Sequence, residues 1–361
     1  MTPRHPTPSR SSPRRPPRVL RTLAAAALAA TLLGSGAVMA RNDATPLALP
    51  AGPMPPADLA AALSIADASG LKGASRVAVN SFSVVFVHGN VASSQAQKAS
   101  VTVSYELQGV GPADFQLLTD QAYERFVAAL GAAGFEVLPR SALAQQPAFT
   151  RLQAAGQPSG QRRDAAVAMA PAGLNVPPLA TAAAAGREKG LGASLAGLSA
   201  IGSAIGGAGD VDELARALNA TVLDLIVVVD FAELQASGGG LLDRLSGTGT
   251  AKVSSKASVR LVPEATVLRW FTPAQKASSL TLNRPLLLPD DTIAEVTQRN
   301  SAGTTAGNVA GALISFAAGT GSRHETREYQ AIAQPEPYRQ RVGDGLAQFT
   351  GAAAASLGAA R

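Results

Sequence analysis

Cysteine is absent from all 361 residues of the sequence. Without a thiol the chain has no disulfide bond, no thiolate metal ligand, no cysteine nucleophile and no cysteine through which a lipid could be attached. The fold therefore depends on packing, and a chain of this length can bury a large core.

Histidine and aromatic residues are scarce. There are three histidines, and aromatic side chains make up 4% of the chain, so zinc sites and base-stacking surfaces are poorly supported. His324 starts the sequence HETRE, in which Glu328 stands where a zinc-protease helix has its second histidine. The sequence also has no nucleophile elbow, phosphate-binding loop or dinucleotide fingerprint. We therefore expect a protein that is not an enzyme and has no cofactor or metal.

Acidic residues are missing from the first forty positions, which hold six arginines and then an apolar run from Leu23 to Leu33. A basic start, a short apolar stretch and small residues before a cleavage point are typical of a signal peptide. We interpret residues 1–40 as a signal peptide cleaved after Ala40, which predicts a periplasmic or secreted protein. Retention as an anchor is the alternative, although a membrane-spanning helix needs about 20 apolar residues.

Positive and negative charges balance after residue 40, with 25 of each sign. A neutral protein has little affinity for nucleic acid, because that affinity comes mainly from neutralising phosphates. We therefore expect a protein partner of the cell envelope and no nucleic acid.

Composition divides the rest of the chain into three parts. Five prolines keep residues 41–57 extended, as in a tether. Residues 58–288 alternate strand patterns with helical stripes, which predicts an α/β (α+β) domain with a mixed central sheet flanked by helices. Residues 157–209 are interpreted as a long Gly/Ala-rich loop insertion in this domain. Residues 289–361 are predicted to form a C-terminal Gly/Ala-rich helical segment.

Hydrophobic periodicity locates the individual elements. The clearest helical stripe covers residues 112–133, and the most apolar strand, 222–231, is expected at the centre of the sheet with both faces buried. Two hairpins are predicted, 76–87 with 99–107 and 250–261 with 266–271. Further helices are predicted over 58–68, 141–155, 210–218, 291–300 and 337–357, and further strands over 135–138 and 280–288.

Two carboxylates and three basic residues are the candidate functional groups. Asp224 and Asp230 flank the predicted central strand, where α/β proteins often place a ligand crevice. Lys252, Lys256 and Arg260 fall on the polar face of the strand 250–261. They are the expected contact surface for another protein, together with the insertion 157–209.

Glycine recurs every four residues within the tract 303–321, and the same spacing occurs within 190–209. This spacing lets helices approach closely and is found in membrane helix pairs. Membrane contact or homo-oligomerisation through the two Gly/Ala-rich tracts is therefore an open alternative.

Five segments also carry a family resemblance: 77–82, 122–126, 135–143, 225–230 and 257–262. Their order resembles the periplasmic α/β domain shared by the curli secretion channel (CsgG) family and the outer-membrane activators of penicillin-binding proteins. The resemblance implies an α/β fold and a location in the cell envelope, and its motifs are packing patterns without a catalytic signature.

These observations favour an exported, non-enzymatic cell-envelope protein that acts by protein–protein interaction in envelope assembly or secretion. A membrane-associated oligomer or pore-forming component is the alternative. A secreted hydrolase that uses His88 and a carboxylate is a third hypothesis.

Overall fold

The computed structural model describes residues 45–96, 99–163, 165–178, 208–237, 252–263, 265–299, 305 and 323–361. These residues form two β-sheets and their flanking helices. The expected α/β class, with a mixed central sheet flanked by helices, is confirmed. Residues 42–361 form one compact unit, to which all of these residues belong.

The strands in chain order are β1 (Leu47–Ala48), β2 (Leu63–Ile65), β3 (Arg76–Val87), β4 (Gly89–Ala96), β5 (Ala99–Gln108), β6 (Glu136–Val137), β7 (Gln161–Arg163), β8 (Ala166–Met169), β9 (Thr221–Ser237), β10 (Lys252–Leu261), β11 (Val267–Phe271), β12 (Ala277–Leu282), β13 (Leu286–Leu287), β14 (Ile293–Gln298) and β15 (Arg323–Ala333). The helices are α1 (Pro56–Ala60), α2 (Pro112–Ala132), α3 (Arg140–Ala144), α4 (Pro147–Ala155), α5 (Ala208–Leu218) and α6 (Pro335–Ala359), with a 3-10 turn at Asp290–Thr292. Strands β4, β5, β14 and β15 form the small sheet, and the other eleven form the main sheet.

Strand β9 is the centre of the main sheet. It runs parallel to β3 on one side, and on its other side it pairs antiparallel with both β10 and β11. Strands β13 and β1 extend the sheet beyond β10, and β12 and β2 extend it beyond β11. Every residue from Ala220 to Ala232 is buried, as a strand covered on both faces requires. The prediction of a central, fully buried strand is confirmed.

The predicted hairpin between 250–261 and 266–271 is wrong. Strand β10 pairs with the second half of β9 and β11 pairs with the first half, so β10 and β11 follow one another along the same side of β9. Between them, Val262 N donates to Val228 O at 3.0 Å and Thr266 N donates to Val262 O at 3.1 Å. Pro263 has no N–H for the ladder, and it interrupts the ladder without reversing the chain.

The predicted hairpin between 76–87 and 99–107 is also wrong. Residues 89–96, expected as the turn, are the strand β4, which pairs antiparallel with β5, whereas β3 pairs with β9. Strand β5 runs parallel to β15, and β15 pairs antiparallel with β14. Mostly small and polar residues make up β4, and their alternation is too weak to identify a strand from the sequence.

The helix predicted over 291–300 is replaced by the 3-10 turn and the strand β14. Asp290 and Asp291 resemble a helix start, but Arg341 of α6 binds the Asp291 carboxylate at 2.7 Å. Ile293, Val296 and Thr297 are β-branched and favour a strand. The C-terminal segment therefore contributes two strands in addition to its predicted helix α6.

Helices α2 and α6 pack against each other and match their predicted positions. Phe115 of α2 stacks on Phe86 of β3 with ring centroids 4.4 Å apart, and Phe126 of α2 contacts Phe82 of β3 at 5.9 Å. The apolar stripe on α2 is therefore buried against one face of the main sheet. Gly134 follows α2 with φ +88°, which is the conformation expected of a helix C-terminal glycine.

Two other predicted helices are shorter than expected. The helix predicted over 141–155 is divided into α3 and α4, because Pro147 disfavours helical geometry at Gln146. The helix predicted over 58–68 ends at Ala60, and β2 follows it.

The segments expected as a loop and a tether contribute strands to the main sheet. Strand β8 comes from the predicted insertion and pairs with β3, and β1 comes from the predicted tether and pairs with β13. Residues 1–44, 179–207 and 306–322, which include the predicted signal peptide and most of both Gly/Ala-rich tracts, lie outside the described residues. Within the described part of the chain, no helix combines the length and the hydropathy needed to cross a membrane.

Candidate functional site

Asp230 is the centre of a buried polar cluster that joins the two sheets. Its Oδ2 accepts a hydrogen bond from Arg260 Nη2 at 3.1 Å. Its Oδ1 accepts from Asn90 Nδ2 at 2.7 Å and from the backbone N–H of Phe231 at 2.8 Å. Asp230 is 1% exposed and Asn90 is 0% exposed. Because Asn90 belongs to β4 and Asp230 to β9, these bonds tie the small sheet to the main sheet.

Arg260 lies in this cluster rather than on the predicted contact surface. Its side chain is 14% exposed. The pairing of β10 with β9 is irregular between Ala257 and Arg260, and such a bulge interrupts the alternation on which the prediction was based. Lys256 is exposed, and the side chain of Lys252 lies outside the described residues. The three basic residues therefore do not form the surface that was expected.

Asp224 belongs to a second buried cluster, on the face of the main sheet opposite to α2. Its Oδ1 accepts hydrogen bonds from Asn80 Nδ2 at 2.8 Å and from Ser81 Oγ at 2.6 Å, while its Oδ2 has no hydrogen-bond partner. Ser81 pairs with Asp224 in the register of β3 and β9, and Arg269 of β11 is the cross-strand neighbour on the other side.

Burial raises the pKa of Asp224, and the hydrogen bonds from Ser81 and Asn80 and the charge of Arg269 oppose this rise. Burial likewise lowers the pKa of Arg269, and the charge of Asp224 opposes that. Desolvation therefore works against both charges of this pair. A carboxylic acid with a raised pKa suits general acid catalysis. Asp224, however, is 1% exposed and therefore cannot contact a substrate.

Asp224 and Asp230 are each 1% exposed, so in the part of the chain that the structure describes neither lines a crevice, and this expectation is corrected. Each carboxylate is enclosed by strands of the sheet, and each holds neighbouring strands in register through hydrogen bonds. Sequence reasoning missed their partners Asn80 and Asn90. The available signal was an amide residue within or just after a long apolar strand, which in a buried position needs a partner. Among the described residues, no three His, Asp or Glu side chains come close enough to hold a metal ion.

His88 contacts an arginine. Arg162 Nε donates to His88 Nε2 at 3.3 Å, and Arg162 Nη2 lies 3.5 Å from His88 Nδ1. Burial and the charge of Arg162 lower the pKa of His88. A catalytic triad needs a carboxylate on one ring nitrogen and a nucleophile on the other, so this geometry does not favour the hydrolase hypothesis. His324 lies on strand β15, whereas a zinc-protease motif requires a helix.

The two edge strands of the small sheet expose apolar side chains. Of the described residues, three large hydrophobic side chains are exposed, and two of them are Val91 of β4 (42%) and Val296 of β14 (43%). The third is Leu117 on α2. In the strand order β14-β15-β5-β4, β4 and β14 are the two edges. Within the described residues, each of these two strands therefore pairs with a neighbouring strand on one side only.

Comparison with known proteins gives no match: no family model matches the chain, and no curated protein or solved structure matches it either. The resemblance to the curli secretion channel family therefore stays a prediction.

Proposed function

We propose that this chain is an exported, non-enzymatic cell-envelope protein that acts by binding another protein through the edges of its small sheet. The proposal rests mainly on one observation, the exposure of Val91 and Val296 on the two edge strands of that sheet. It also fits the buried ionisable clusters, in which carboxylates hold strands together.

An edge strand has a row of unpaired backbone N–H and C=O groups, and proteins usually protect such edges with charges, prolines or very short strands. Strand β4 has neither charges nor prolines among its eight residues. Strand β14 has one charge, on Glu295, and an irregularity in its pairing at Ile293–Glu295. Addition of an extended segment of a partner to such an edge is a common mode of recognition, in which backbone bonds supply affinity and alternate side chains supply specificity.

Export is proposed from the leader-like residues 1–40, and the partner is then a protein of the cell envelope. Fractionation of cells, with N-terminal sequencing of the recovered protein, tests this part. Recovery of the full-length chain in the cytoplasm would contradict it.

Substitutions on the two edges test the binding surface. Val91→Lys and Val296→Lys place a charge on an edge strand without touching the core, and each should weaken capture of envelope proteins by the immobilised protein. Leu117→Lys is the matched control, because Leu117 is similarly exposed at 47% but lies on a helix. If all three variants capture the same amount of envelope protein, the edges of the small sheet are not the binding surface.

A second candidate function is assembly of the chain with itself, as a membrane-associated oligomer. Strands β4 and β14 both run opposite to the central pair β5 and β15, so the two edges point in the same direction. The β14 edge of one copy can therefore pair in parallel with the β4 edge of the next, and such head-to-tail contacts produce rings or filaments. Analytical ultracentrifugation of the protein and its Val91→Lys variant, with and without membranes, distinguishes this candidate from binding of a different protein.

A further inference from the structure

The chain holds one of its own segments in a groove at the edge of the main sheet, between β13 and α6. This segment, residues 47–54, is called the strap. Its strand β1 pairs in parallel with β13: Leu47 N donates to Pro285 O at 2.9 Å, and Leu49 N donates to Leu287 O at 2.8 Å. Leu49 is the apolar anchor, being 5% exposed, while Ala48 between the two leucines faces outward.

The second half of the strap is attached to α6 by side chains. Arg341 Nη1 donates to Ala51 O at 3.2 Å, and Gln348 Nε2 donates to Gly52 O at 3.3 Å. Gln348 Oε1 also accepts from Met54 N at 3.3 Å.

The strap is not closely packed along its whole length. Residues 51–53 are exposed, and an open cleft of about 350 Å³ lies between them and the Asp344–Gln348 stretch of α6. The strap is therefore fixed by the buried Leu49, by the partly buried Leu47 and Met54, which pack against the core, and by a few hydrogen bonds. Its removal uncovers an edge strand of the main sheet.

We propose that the groove between β13 and α6 is a peptide-binding site, which the strap occupies in its own chain and which the strap of a second copy occupies in an exchanged dimer. The occupant follows from the contacts, because an identical segment from a second copy makes the same hydrogen bonds and buries the same leucine. Exchange of an identical element between copies requires no new contact surface. Pro50 and Pro53 within the strap, and Pro46 just before it, restrict the free strap and reduce the entropy lost on binding.

The proposal predicts competition between the bound strap and an added peptide. An intramolecular segment has an effective concentration in the millimolar range, so a synthetic peptide of residues 45–55 should bind the unaltered protein weakly. Leu49→Asp in the protein should release the strap and improve the binding of this peptide by roughly tenfold or more. Fluorescence anisotropy of the labelled peptide measures the change.

Two controls make this measurement specific. Ala48→Asp adds the same charge at the neighbouring outward position, and this protein should bind the peptide as weakly as the unaltered one. A peptide that carries Leu49→Asp should not bind any of the proteins. Absence of binding to the Leu49→Asp protein would overturn the proposal. If that variant does not fold, hydrogen exchange of the unaltered protein tests the proposal instead. The Leu49 amide should exchange much faster than the amides of β9, and equal protection of these amides would also overturn the proposal.

The lack of native cysteine allows a direct test of the second copy. Ala48 and Leu287 are register partners, so cysteines at these two positions lie within the reach of a disulfide. Chains with only Ala48→Cys are mixed with chains with only Leu287→Cys, and an exchanged strap should give a disulfide-linked dimer on oxidation. Ala48→Cys mixed with Ser93→Cys, at an exposed position of β4, is the control for random collision. Equal yields from both mixtures would overturn the assignment of the second copy as occupant, even if the peptide binds.

Discussion

Asp230 and Arg260 pair across the central strand β9 and its neighbour β10, with Arg260 Nη2 3.1 Å from Asp230 Oδ2 and the carboxylate fully buried. Removal of one partner from a buried ion pair leaves an uncompensated charge in the protein interior, which typically costs about 3–5 kcal/mol. We therefore expect Arg260→Leu to lower the free energy of unfolding by about that amount. Urea unfolding, followed by the fluorescence of the single tryptophan, Trp270, measures the loss.

The matched control for this prediction is Arg151→Ala. Arg151 makes ion pairs with both Asp210 and Glu213, but its side chain is 48% exposed, and exposed pairs contribute little to stability. Its urea midpoint should stay close to that of the unaltered protein. A larger loss for Arg151→Ala than for Arg260→Leu would contradict the assigned role of the Asp230 cluster.

The raised pKa of Asp224 predicts that the free energy of unfolding falls as the pH rises. Burial raises its pKa in the folded protein, whereas in the unfolded chain the carboxyl has its ordinary pKa of about 3.9. Between these two values the folded state binds more protons, so the free energy of unfolding decreases with increasing pH. Asp224→Asn removes this dependence, and the variant should be at least as stable as the unaltered protein at pH 7. Urea midpoints between pH 4 and pH 8 test both statements.

Asp291 is the control, because its pKa is shifted in the direction opposite to that of Asp224. The guanidinium of Arg341 holds the pKa of Asp291 below its ordinary value, so its stabilising contribution is present above the unfolded pKa and is lost as the pH falls. Asp291→Asn should therefore reduce stability slightly at pH 7. The same direction of change for Asp224→Asn and Asp291→Asn would contradict the assignment of a raised pKa to Asp224.

Gly109, in the turn between β5 and α2, should not tolerate a side chain. Its φ is +90°, and a Cβ atom there would collide with the carbonyl oxygen of Ala333 at the end of β15. We expect Gly109→Ala to destabilise the protein by about 1–3 kcal/mol. Gly111→Ala, two residues later, meets open space and should cost less, about 0.5–1 kcal/mol, because alanine is a poorer helix N-cap than glycine. Thermal unfolding of the two variants compares them directly.

Phe115 and Leu117 are near neighbours on α2 with opposite environments. Phe115 is 3% exposed and stacks on Phe86, whereas Leu117 is 47% exposed. Phe115→Ala should cost about 3–5 kcal/mol because it opens a cavity in the core, and Leu117→Ala should change stability by less than about 0.5 kcal/mol. Comparable losses for the two variants would show that α2 does not pack on the main sheet through its Phe115 face.

The elements with long, strong patterns could be predicted from the sequence. The patterns of α2 and α6 predict their observed bounds to within two residues, and the apolar run of β9 predicts its start, although β9 continues six residues beyond the predicted end at 231. In each of them the local pattern and the buried face agree, so the 3.6-residue or strand period identifies the element without knowledge of its neighbours.

The pairing of strands could not be predicted, because it depends on distant parts of the chain. Nothing local distinguishes a hairpin from two strands that follow one another along β9, and Pro263 fits either arrangement. The candidate site depended on the same information. Alternation along residues 250–261 predicts an exposed Arg260, but the irregularity between Ala257 and Arg260 brings its side chain to Asp230. Asn90, which also binds Asp230, lies on β4, a strand whose sequence favours a turn.

The central position of β9 also has a kinetic consequence. Asn80 of β3 and Asp224 of β9, which share a hydrogen bond, are 144 residues apart along the chain. During synthesis from the N-terminus, the apolar residues of β3 therefore stay unpaired until β9 has been synthesised. Long-range parallel pairing of this kind is slow and leaves intermediates with exposed apolar surface, which aggregate easily. This polypeptide should therefore refold slowly, and during synthesis it should depend on chaperones that bind unfolded chains until β9 has been synthesised.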